Sequence, residues 1–301
     1  MVHMPVTPRS MQSFVKHATP YAFVGPAIVV LVLLLLFPIF RVFYNSFFDN
    51  TLVVKTPHWV GLSNFTQLLK DPVFYVSIKN TVVFTVGSVV LHLIVGLVFA
   101  LLLNQRIHPV ALGFFRAALI LPWVFTVAVV AVNWQLLLNP LGVVNYILKA
   151  CNLIHSSIEW FGDARYAMIG LLLVNTWRGY PFVMLSILAG LQSIGAELYE
   201  ASKVDGANVT QSFLHITLPQ LKPVLLSIGL LDTIWTFQLF PLIWLTTGGG
   251  PGHATEVLAT YTYKKAFESV QFSMASTIAV MILCVTSVMT FFYLKQQRMT
   301  E

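Results

Sequence analysis

Residues 196–223 read AELYEASKVDGANVTQSFLHITLPQLKP, a long polar stretch between two strongly apolar ones. Its composition is too polar for burial in lipid. Glu197–Lys203 favours a helix, and Asp205 with Gly206 makes a turn, because glycine readily takes the left-handed conformation that ends a helix. The pattern therefore predicts one short helix followed by a sharp change of direction.

A second helix is predicted directly after this turn. Asn208 can cap it, and Gln211 falls at the capping-box position three residues later. Apolar residues then recur at helical spacing on one face: Val209, Phe213 and Ile216. We expect Pro219 to end this helix. The segment thus predicts a two-helix hinge that stands off the membrane.

The hinge also carries an acidic edge, since Glu197, Glu200 and Asp205 outnumber Lys203. A helix that lies on the bilayer surface would instead need Lys or Arg along its polar face. Docking of a protein partner is therefore favoured over an interfacial helix. A rigid helical pair can pass the movement of such a partner into the apolar segments on either side of it.

Outward from the hinge, the chain is strongly apolar. Of its 301 residues 57% are hydrophobic and 9% are charged, whereas soluble domains carry about 25% charged residues. Six stretches reach the roughly 20 apolar residues that a membrane-spanning helix needs: Tyr21–Phe40, Thr81–Leu103, Ala117–Leu138, Tyr166–Leu188, Pro223–Leu245 and Met274–Leu294. The sequence predicts an all-α integral membrane protein with six transmembrane helices.

The net charge of +6 does not indicate nucleic-acid binding, because the Lys and Arg residues are scattered singly among the connections. They are also nearly balanced between the two sides of the predicted bundle, so charge counting does not orient it. An even number of spans places both termini on one side. The short alternating strands of a membrane β-barrel are absent from the sequence.

Two charged residues lie deep in predicted spans, Arg178 in the fourth and Asp232 in the fifth. An isolated charge at such a depth costs at least about 2.5–3.5 kcal/mol. One interpretation is a polar pathway through the bundle, and the other is a buried pair that locks two helices together. His92 in the second span is a weaker signal, since a neutral imidazole that donates to a backbone carbonyl would suffice there.

The hinge resembles the EAA loop of the permease subunits of ATP-binding-cassette (ABC) importers. The resemblance is carried, at every spacing, by Glu200, Ala201, Ser202, Gly206, Ile216, Leu218 and Pro219. Ser202 replaces the usual second alanine and Gly195 a common proline, and both replacements are small. The resemblance implies that this loop is a coupling helix that docks on an ATPase subunit through those seven residues and Asp205.

Three more stretches resemble the MalF-like, sugar-type half of type I ABC importers: Trp59–Thr81, the stretch from Thr176, and the glycine-rich connection Thr246–Phe267. The resemblance implies the type I importer permease fold, with a six-helix domain at 21–294. It places the N-terminal tail 1–20, the coupling loop 196–222 and the C-terminal tail 295–301 in the cytoplasm. The loops 48–78, 139–164 and 246–272 would be periplasmic.

The same resemblance implies the assembly. A second, MalG-like permease subunit would pair with this chain in a bacterial or archaeal cytoplasmic membrane. Two copies of an ABC ATPase would use ATP and Mg, and an extracytoplasmic sugar-binding protein would deliver the solute. The chain itself would bind no cofactor or metal and would not be an enzyme. Gly248–Gly252 lacks the Gly-Lys-Ser/Thr ending of a P-loop, so we expect a flexible loop that meets the binding protein.

Sugars bind through aromatic faces and through amide or carboxylate groups that read their hydroxyls. Trp235 and Gln238 are three residues apart, so we expect them to share a helix face, roughly with Asp232. The candidate substrate pathway comprises Asp232, Trp235, Gln238, Phe240, Asn133 and Arg178. The alternative for these aromatics is helix packing or, for Trp244 near a span end, the membrane interface.

Three alternative functions remain from the sequence. The same importer class would also carry glycerol-3-phosphate or another polar solute. An intramembrane enzyme would need a catalytic pair at matching depth, and Arg178 with Asp232 is not a nucleophile pair. A secondary transporter usually has more spans with internal repeats, which fits poorly with six spans and a docking loop.

Overall fold

The computed structural model of the chain describes residues 24–49, 56–105 and 108–298. The predicted tail 1–20 and the last residues of the predicted tail 295–301 lie outside the described residues. In chain order the elements are α1 Val24–Ser46, β1 Phe48–Asp49, β2 His58–Trp59, α2 Ser63–Leu68, α3 Pro72–Leu103, α4 Pro109–Val124, α5 Val127–Leu137, α6 Val143–Ala150, α7 Ala164–Ser193, α8 Ala196–Val204, α9 Val209–Phe237, α10 Pro241–Thr246, α11 Leu258–Tyr263 and α12 Phe272–Arg298.

The described residues are mostly helical, as predicted. Five helices, α1, α3, α7, α9 and α12, are long and apolar enough to cross a membrane, and the pair α4 and α5 makes a sixth if it is one bent span. The small exceptions to an all-α fold are β1 and β2, which pair antiparallel outside the bundle. The predicted loops 48–78, 139–164 and 246–272 also contain the short helices α2, α6 and α11.

The third span, predicted at Ala117–Leu138, consists of two helices. α4 and α5 meet at 98°, because Phe125 and Thr126 adopt extended backbone between them. Two extended residues are enough to turn a helix, and they leave the apolar composition of the segment unchanged. Counting apolar residues therefore finds the span but not its corner.

The bounds of the second and fifth spans also differ from the prediction. α3 begins at Pro72, capped by the Asp71 side chain, nine residues before the predicted Thr81. α9 ends at Phe237, and α10 restarts the helix at Pro241. Helices commonly end at or before the residue that precedes a proline, so the predicted fifth span, Pro223–Leu245, is divided before Pro241.

The centre of the bundle is the packing of α3, α7 and α9. α3 and α7 run in the same direction, since Gly87 faces Leu172 and Gly96 faces Val183. α9 runs antiparallel to them and packs Leu221 against Gly190. A cluster of buried side chains of these helices fills the hinge end of the bundle, and its members include Ala100, Val183, Met184, Ile187, Leu221 and Ile228.

Candidate functional site

The predicted two-helix hinge is present. α8 spans Ala196–Val204, and Gly206 follows with φ of +77°, which glycine adopts without the steric penalty of a side chain. Asn208 caps α9 through both bonds of a capping box. Its Oδ1 accepts from Gln211 N at 2.8 Å, and Gln211 Oε1 accepts from Asn208 N at 2.8 Å. The local sequence signals of this hinge were therefore correct.

The two arms of the hinge enclose a cleft of about 300 Å³. Of the predicted docking residues, Ser202, Asp205, Gly206 and Ile216 line this cleft. Glu200, Ala201 and Pro219 are exposed outside it, and Leu218 is half-buried. Two valines that the motif does not include, Val204 and Val209, flank the turn and are 88% and 87% exposed. The hinge therefore presents an apolar tip beside its acidic edge.

The expectation that Pro219 ends the second helix is wrong. The helix continues from Val209 to Phe237 through a π-helical turn at Phe213–Thr217. In this turn the amide of Leu218 bonds to the carbonyl of Phe213, five residues back. The wider turn shifts the hydrogen-bond ladder just where Pro219 contributes no amide hydrogen. The second helix of the hinge and the transmembrane segment after it are consequently one helix.

The deep charges of the bundle are arranged differently from a simple Arg–Asp pair. Asp232 of α9 is buried, and its Oδ2 lies 2.7 Å from Nδ1 of His92 on α3. Nε2 of the same imidazole lies 3.0 Å from the backbone carbonyl oxygen of Asn175 on α7. Thr236 donates to Asp232 Oδ1 at 3.3 Å. One imidazole therefore ties the three central helices together.

The contacts of His92 fix the number of protons that the pair holds. Both ring nitrogens face oxygen acceptors, so one proton on Nε2 donates to Asn175 O, and a second lies between Nδ1 and Asp232 Oδ2. Whichever of the last two atoms carries that second proton, the charges of the imidazole and the carboxyl group add up to zero. The His92–Asp232 pair is therefore electrically neutral as a unit.

Gly179 makes room for this pair. A Cβ atom on Gly179 would lie 2.4 Å from Cε1 and Nε2 of His92, far inside van der Waals contact. The ring can therefore reach Asn175 O only because residue 179 has no side chain. The sequence flagged His92 only weakly and gave no role to Asn175.

A small cavity of about 70 Å³ lies beside the pair, between α4, α7 and α9. Arg178, Asp232 and Trp235 line it, so the structure brings together three of the six predicted pathway residues. The Arg178 Nε atom is buried and has no hydrogen-bond partner among the described residues. The Nδ2 atom of Asn175, which is 3% exposed, is also buried without a partner there.

An aromatic row runs along the same cavity. The ring of Phe182 lies 5.0 Å from that of Trp235 and 5.8 Å from that of Trp123, centroid to centroid. Trp123 and Trp235 are about half-exposed. The row therefore offers aromatic faces directly next to the polar groups of the cavity. Sequence reasoning found Trp235 but missed Trp123 and Phe182, because contacts between α4 and α7 leave no local pattern.

The other three predicted pathway residues do not line this cavity. Asn133 is exposed and donates to Val129 O on its own helix at 2.8 Å. Gln238 lies just beyond the end of α9 and is exposed. Phe240 stacks on Trp244 with 5.6 Å between ring centroids. Gln238 is the C-cap residue directly after the last helical residue, Phe237, and it does not line the cavity with Trp235.

The glycine-rich connection is held tightly rather than being flexible. Glu256 is fully buried and accepts from Thr260 Oγ1 at 2.6 Å and from Lys264 Nζ at 2.5 Å. His253 Nδ1 lies 3.2 Å from the same carboxylate. The side chain of Asn80 on α3 donates to the carbonyl of His253 at 2.9 Å. These bonds fix the connection against the end of the bundle that is opposite to the hinge.

A second polar contact holds the same end. Asp71 accepts hydrogen bonds from Val73 N at 2.9 Å and from the Tyr261 hydroxyl, and Lys265 Nζ lies 3.3 Å from it. Partial burial raises the pKa of Asp71, but the hydrogen bonds and the lysine charge outweigh it, so that the pKa lies below its ordinary value. Burial and the bond to Asp71 both raise the pKa of the Tyr261 hydroxyl.

The chain matches a protein family described as binding-protein-dependent transport system inner membrane component, over residues 92–301. It is 34% identical to the probable ABC transporter permease protein YurN of Bacillus subtilis, over 92% of this chain and 94% of that protein. It is 33% identical to the trehalose/maltose transport system permease protein MalF of Thermococcus litoralis, over 92% of this chain and 93% of that protein.

Among solved structures, the chain resembles one from a bacterial ABC transporter involved in the import of the acidic polysaccharide alginate. The TM-score is 0.82 and the sequence identity 22%, and the match covers 97% of this chain and 100% of that chain. This likeness shows that the two chains share a fold.

Proposed function

We propose, given that this chain belongs to the family of binding-protein-dependent transport system inner membrane components, that it forms one transmembrane half of an ATP-driven sugar importer. The substrate class we propose is a di- or oligosaccharide, in line with the trehalose/maltose system of one relative. Glycerol-3-phosphate or another polar solute is the alternative within the same class of importer. A secondary transporter is a remote alternative.

The assembly we propose contains this chain, a MalG-like second permease subunit, two ABC ATPases that use ATP and Mg, and an extracytoplasmic sugar-binding protein. The chain has no catalytic role in it. Both termini and the hinge face the cytoplasm, and the glycine-rich connection faces outward. The predicted docking residues, from Glu200 to Pro219, meet the ATPase, with the exposed Val204 and Val209 as an apolar tip.

One observation carries the mechanism: α9 is a single helix from the hinge to the cavity. The capping box at Asn208 and Gln211 fixes its hinge end, and Asp232 with Trp235 lies near its other end. Twenty-three residues separate Asn208 and Leu231, which at 1.5 Å each is about 35 Å of helix. A push of the ATPase on the hinge would therefore be passed along one continuous helix to the cavity wall.

In the pathway itself, the aromatic row of Trp123, Phe182 and Trp235 gives a sliding surface for sugar rings. Stacking on aromatic faces is weak per contact and tolerant of position, which suits passage rather than tight binding. Asp232 and Arg178 supply polar groups for hydroxyls at the same depth. We assign Asn133, Gln238 and Phe240 to the surface around the pathway, outside the cavity.

The test uses Gly206→Val with Gly195→Val as its control. Neither glycine has an atom within 4 Å of an added Cβ, but φ is +77° at Gly206 and −59° at Gly195. Valine is a strong outlier at positive φ, so only Gly206→Val should distort the hinge. We expect normal membrane insertion of both variants, with loss of ATPase co-purification and of vanadate-sensitive uptake in reconstituted vesicles for Gly206→Val alone.

Normal ATP-dependent uptake by Gly206→Val would refute the coupling role of the hinge. Uptake that needs an ion gradient and no ATP would instead support the secondary transporter. Cysteine labelling of the hinge from outside intact cells would overturn the proposed orientation.

A further inference from the structure

We infer that α6 is an interfacial helix, which lies on the membrane surface at the end of the bundle opposite to the hinge and inserts one apolar face between the lipid headgroups. The preceding helix, α5, reaches that end, where Gln135 donates to the carbonyls of Leu245 and Thr246 at 3.0 Å each. The inference needs only the membrane location of the family. It does not depend on the solute or on the hinge.

The face of α6 that points away from the protein is its apolar one. Val143, Tyr146 and Ile147 are 55%, 73% and 52% exposed, and Ala150 is exposed as well. At about 100° per residue, these four positions fall within an arc of about 100° around the helix. A helix on the surface of a soluble domain turns its polar side chains outward. The outward face of α6 therefore requires cover, either by lipid or by another protein.

The opposite face holds α6 to the bundle. Asn145 is 1% exposed, and its Nδ2 atom donates to the carbonyls of Asn139 at 2.9 Å and of Ile158 at 3.0 Å. Its Oδ1 atom accepts from the amide of Ile158 at 2.9 Å. Val144 packs against the buried cluster that contains Leu138. These contacts fix the direction in which the apolar arc of α6 faces.

The start of α6 lies at the level of the end of α5. Gly142, the residue before α6, donates to the carbonyl of Asn139 at 2.7 Å and closes a tight turn directly after α5. A Cβ atom on Gly142 would lie 2.5 Å from the carbonyl oxygens of both Leu136 and Leu137, the last two residues of α5. The loop then returns to the next span at Ala164. α6 therefore lies beside span ends, where the hydrocarbon core gives way to headgroups.

Two features favour lipid over a protein as the cover of this arc. The arc adjoins the exposed apolar side of α5, since Leu136, which is 66% exposed, neighbours Gly142. Tyrosine is also typical of the membrane interface, and Tyr146 belongs to the arc. Just outside the arc, the exposed Lys149 has its Nζ atom 2.7 Å from Ser157 Oγ, and an ammonium group in this position attracts lipid phosphate.

The test measures the depth of a nitroxide spin label on Ile147→Cys in the purified full-length chain in phospholipid nanodiscs. Cys151 and Cys284, which are free and exposed, are first replaced by serine. Power-saturation spectroscopy compares the accessibility of the label to oxygen, which enters lipid, with that to a water-soluble nickel chelate. We expect the label to lie about 5–10 Å below the headgroup boundary.

Two controls carry the same label. Lys149→Cys lies two residues further along α6, where the helix has turned by about 200°, and should give a shallower position. Ser156→Cys is at an exposed polar position of the same loop and should be accessible to the nickel chelate. Size-exclusion profiles check that each labelled variant is folded. The Ile147→Cys label is then measured in the assembled importer, with and without its solute-binding protein.

Four results would overturn the inference. Nickel accessibility as high at Ile147→Cys as at Ser156→Cys would show that the arc faces water, and equal depths for Ile147→Cys and Lys149→Cys would show that the label itself enters the lipid. Loss of oxygen accessibility on assembly would identify the second permease as the cover, and loss only with the solute-binding protein would identify that protein. The proposed function is tested separately, since ATP-dependent uptake does not enter any of these measurements.

Discussion

Replacing Gly179 with alanine should destabilise the bundle, although glycine to alanine inside a helix normally stabilises by about 0.5–1 kcal/mol. The new Cβ would lie 2.4 Å from two atoms of the His92 ring. The ring cannot retreat freely, because Asp232 and the Asn175 carbonyl hold its two nitrogens. Overpacking of this kind costs about 1–3 kcal/mol, and loss of one of these hydrogen bonds adds about 1 kcal/mol.

The assay is equilibrium unfolding of the purified chain in mixed micelles with increasing SDS. Gly113→Ala on α4 is the control, because no atom lies within 4 Å of its added Cβ, and it should be unchanged or slightly more stable. In a His92→Ala background the clash partner is gone, so Gly179→Ala should cost little there. Equal stability of the two alanine variants, or an equal cost of Gly179→Ala in both backgrounds, would refute the close-approach argument.

Three further predictions concern the two ends of the bundle. Glu256→Gln should lower the free energy of unfolding by about 2–3 kcal/mol, because Lys264 loses its charge partner. The loss is smaller than for a fully buried pair, because Lys264 stays partly in solvent. Glu268→Gln, which changes an exposed carboxylate nearby, should alter the free energy of unfolding little in the same SDS titration. Asp71 has a depressed pKa, so its contribution is present above about pH 4 and is lost as pH falls through the native pKa. Asp71→Asn should therefore flatten the acid limb of thermal stability measured from pH 6 to pH 2, and an unchanged limb would contradict the assignment. Asn208→Ala should cost the hinge about 1 kcal/mol, visible as faster amide hydrogen exchange at Gln211, and unchanged exchange would exclude the cap.

The hinge was predictable because its signals are local. Asn208 and Gln211 are three residues apart, and the turn at Gly206 depends on the conformation of one residue. Such features depend on neighbours in the chain, which a sequence displays directly. The family resemblance rests on the same segment.

The bounds of the spans were less predictable, because apolar composition does not record hydrogen-bond geometry. The corner at Phe125 and Thr126 and the π-helical turn before Pro219 change the path of the backbone without changing its hydropathy. Gln238 illustrates the consequence for the site. It lies at the C-cap of α9, directly after Phe237, and Trp235 lines the cavity whereas Gln238 does not.

The partners of the buried charges were out of reach for a different reason. His92 and Asp232 are 140 residues apart, and nothing near either residue indicates the other. Depth alone suggested Arg178 as a partner for Asp232. In the structure Asp232 contacts His92, and Arg178 lines the cavity without a hydrogen-bond partner for its Nε atom among the described residues.

The π-helical turn at Phe213–Thr217 also determines how the later side chains of α9 are oriented about the helix axis, relative to Gly206. It accommodates one residue more than an α-helical turn, and each residue turns an α-helix by about 100°. Deleting one residue there would swing Asp232 and Trp235 by about that angle relative to Gly206. The extra residue in this turn therefore determines in which direction around the axis of α9 the cavity-lining side chains point. It does so from more than about twenty angstroms away along that axis.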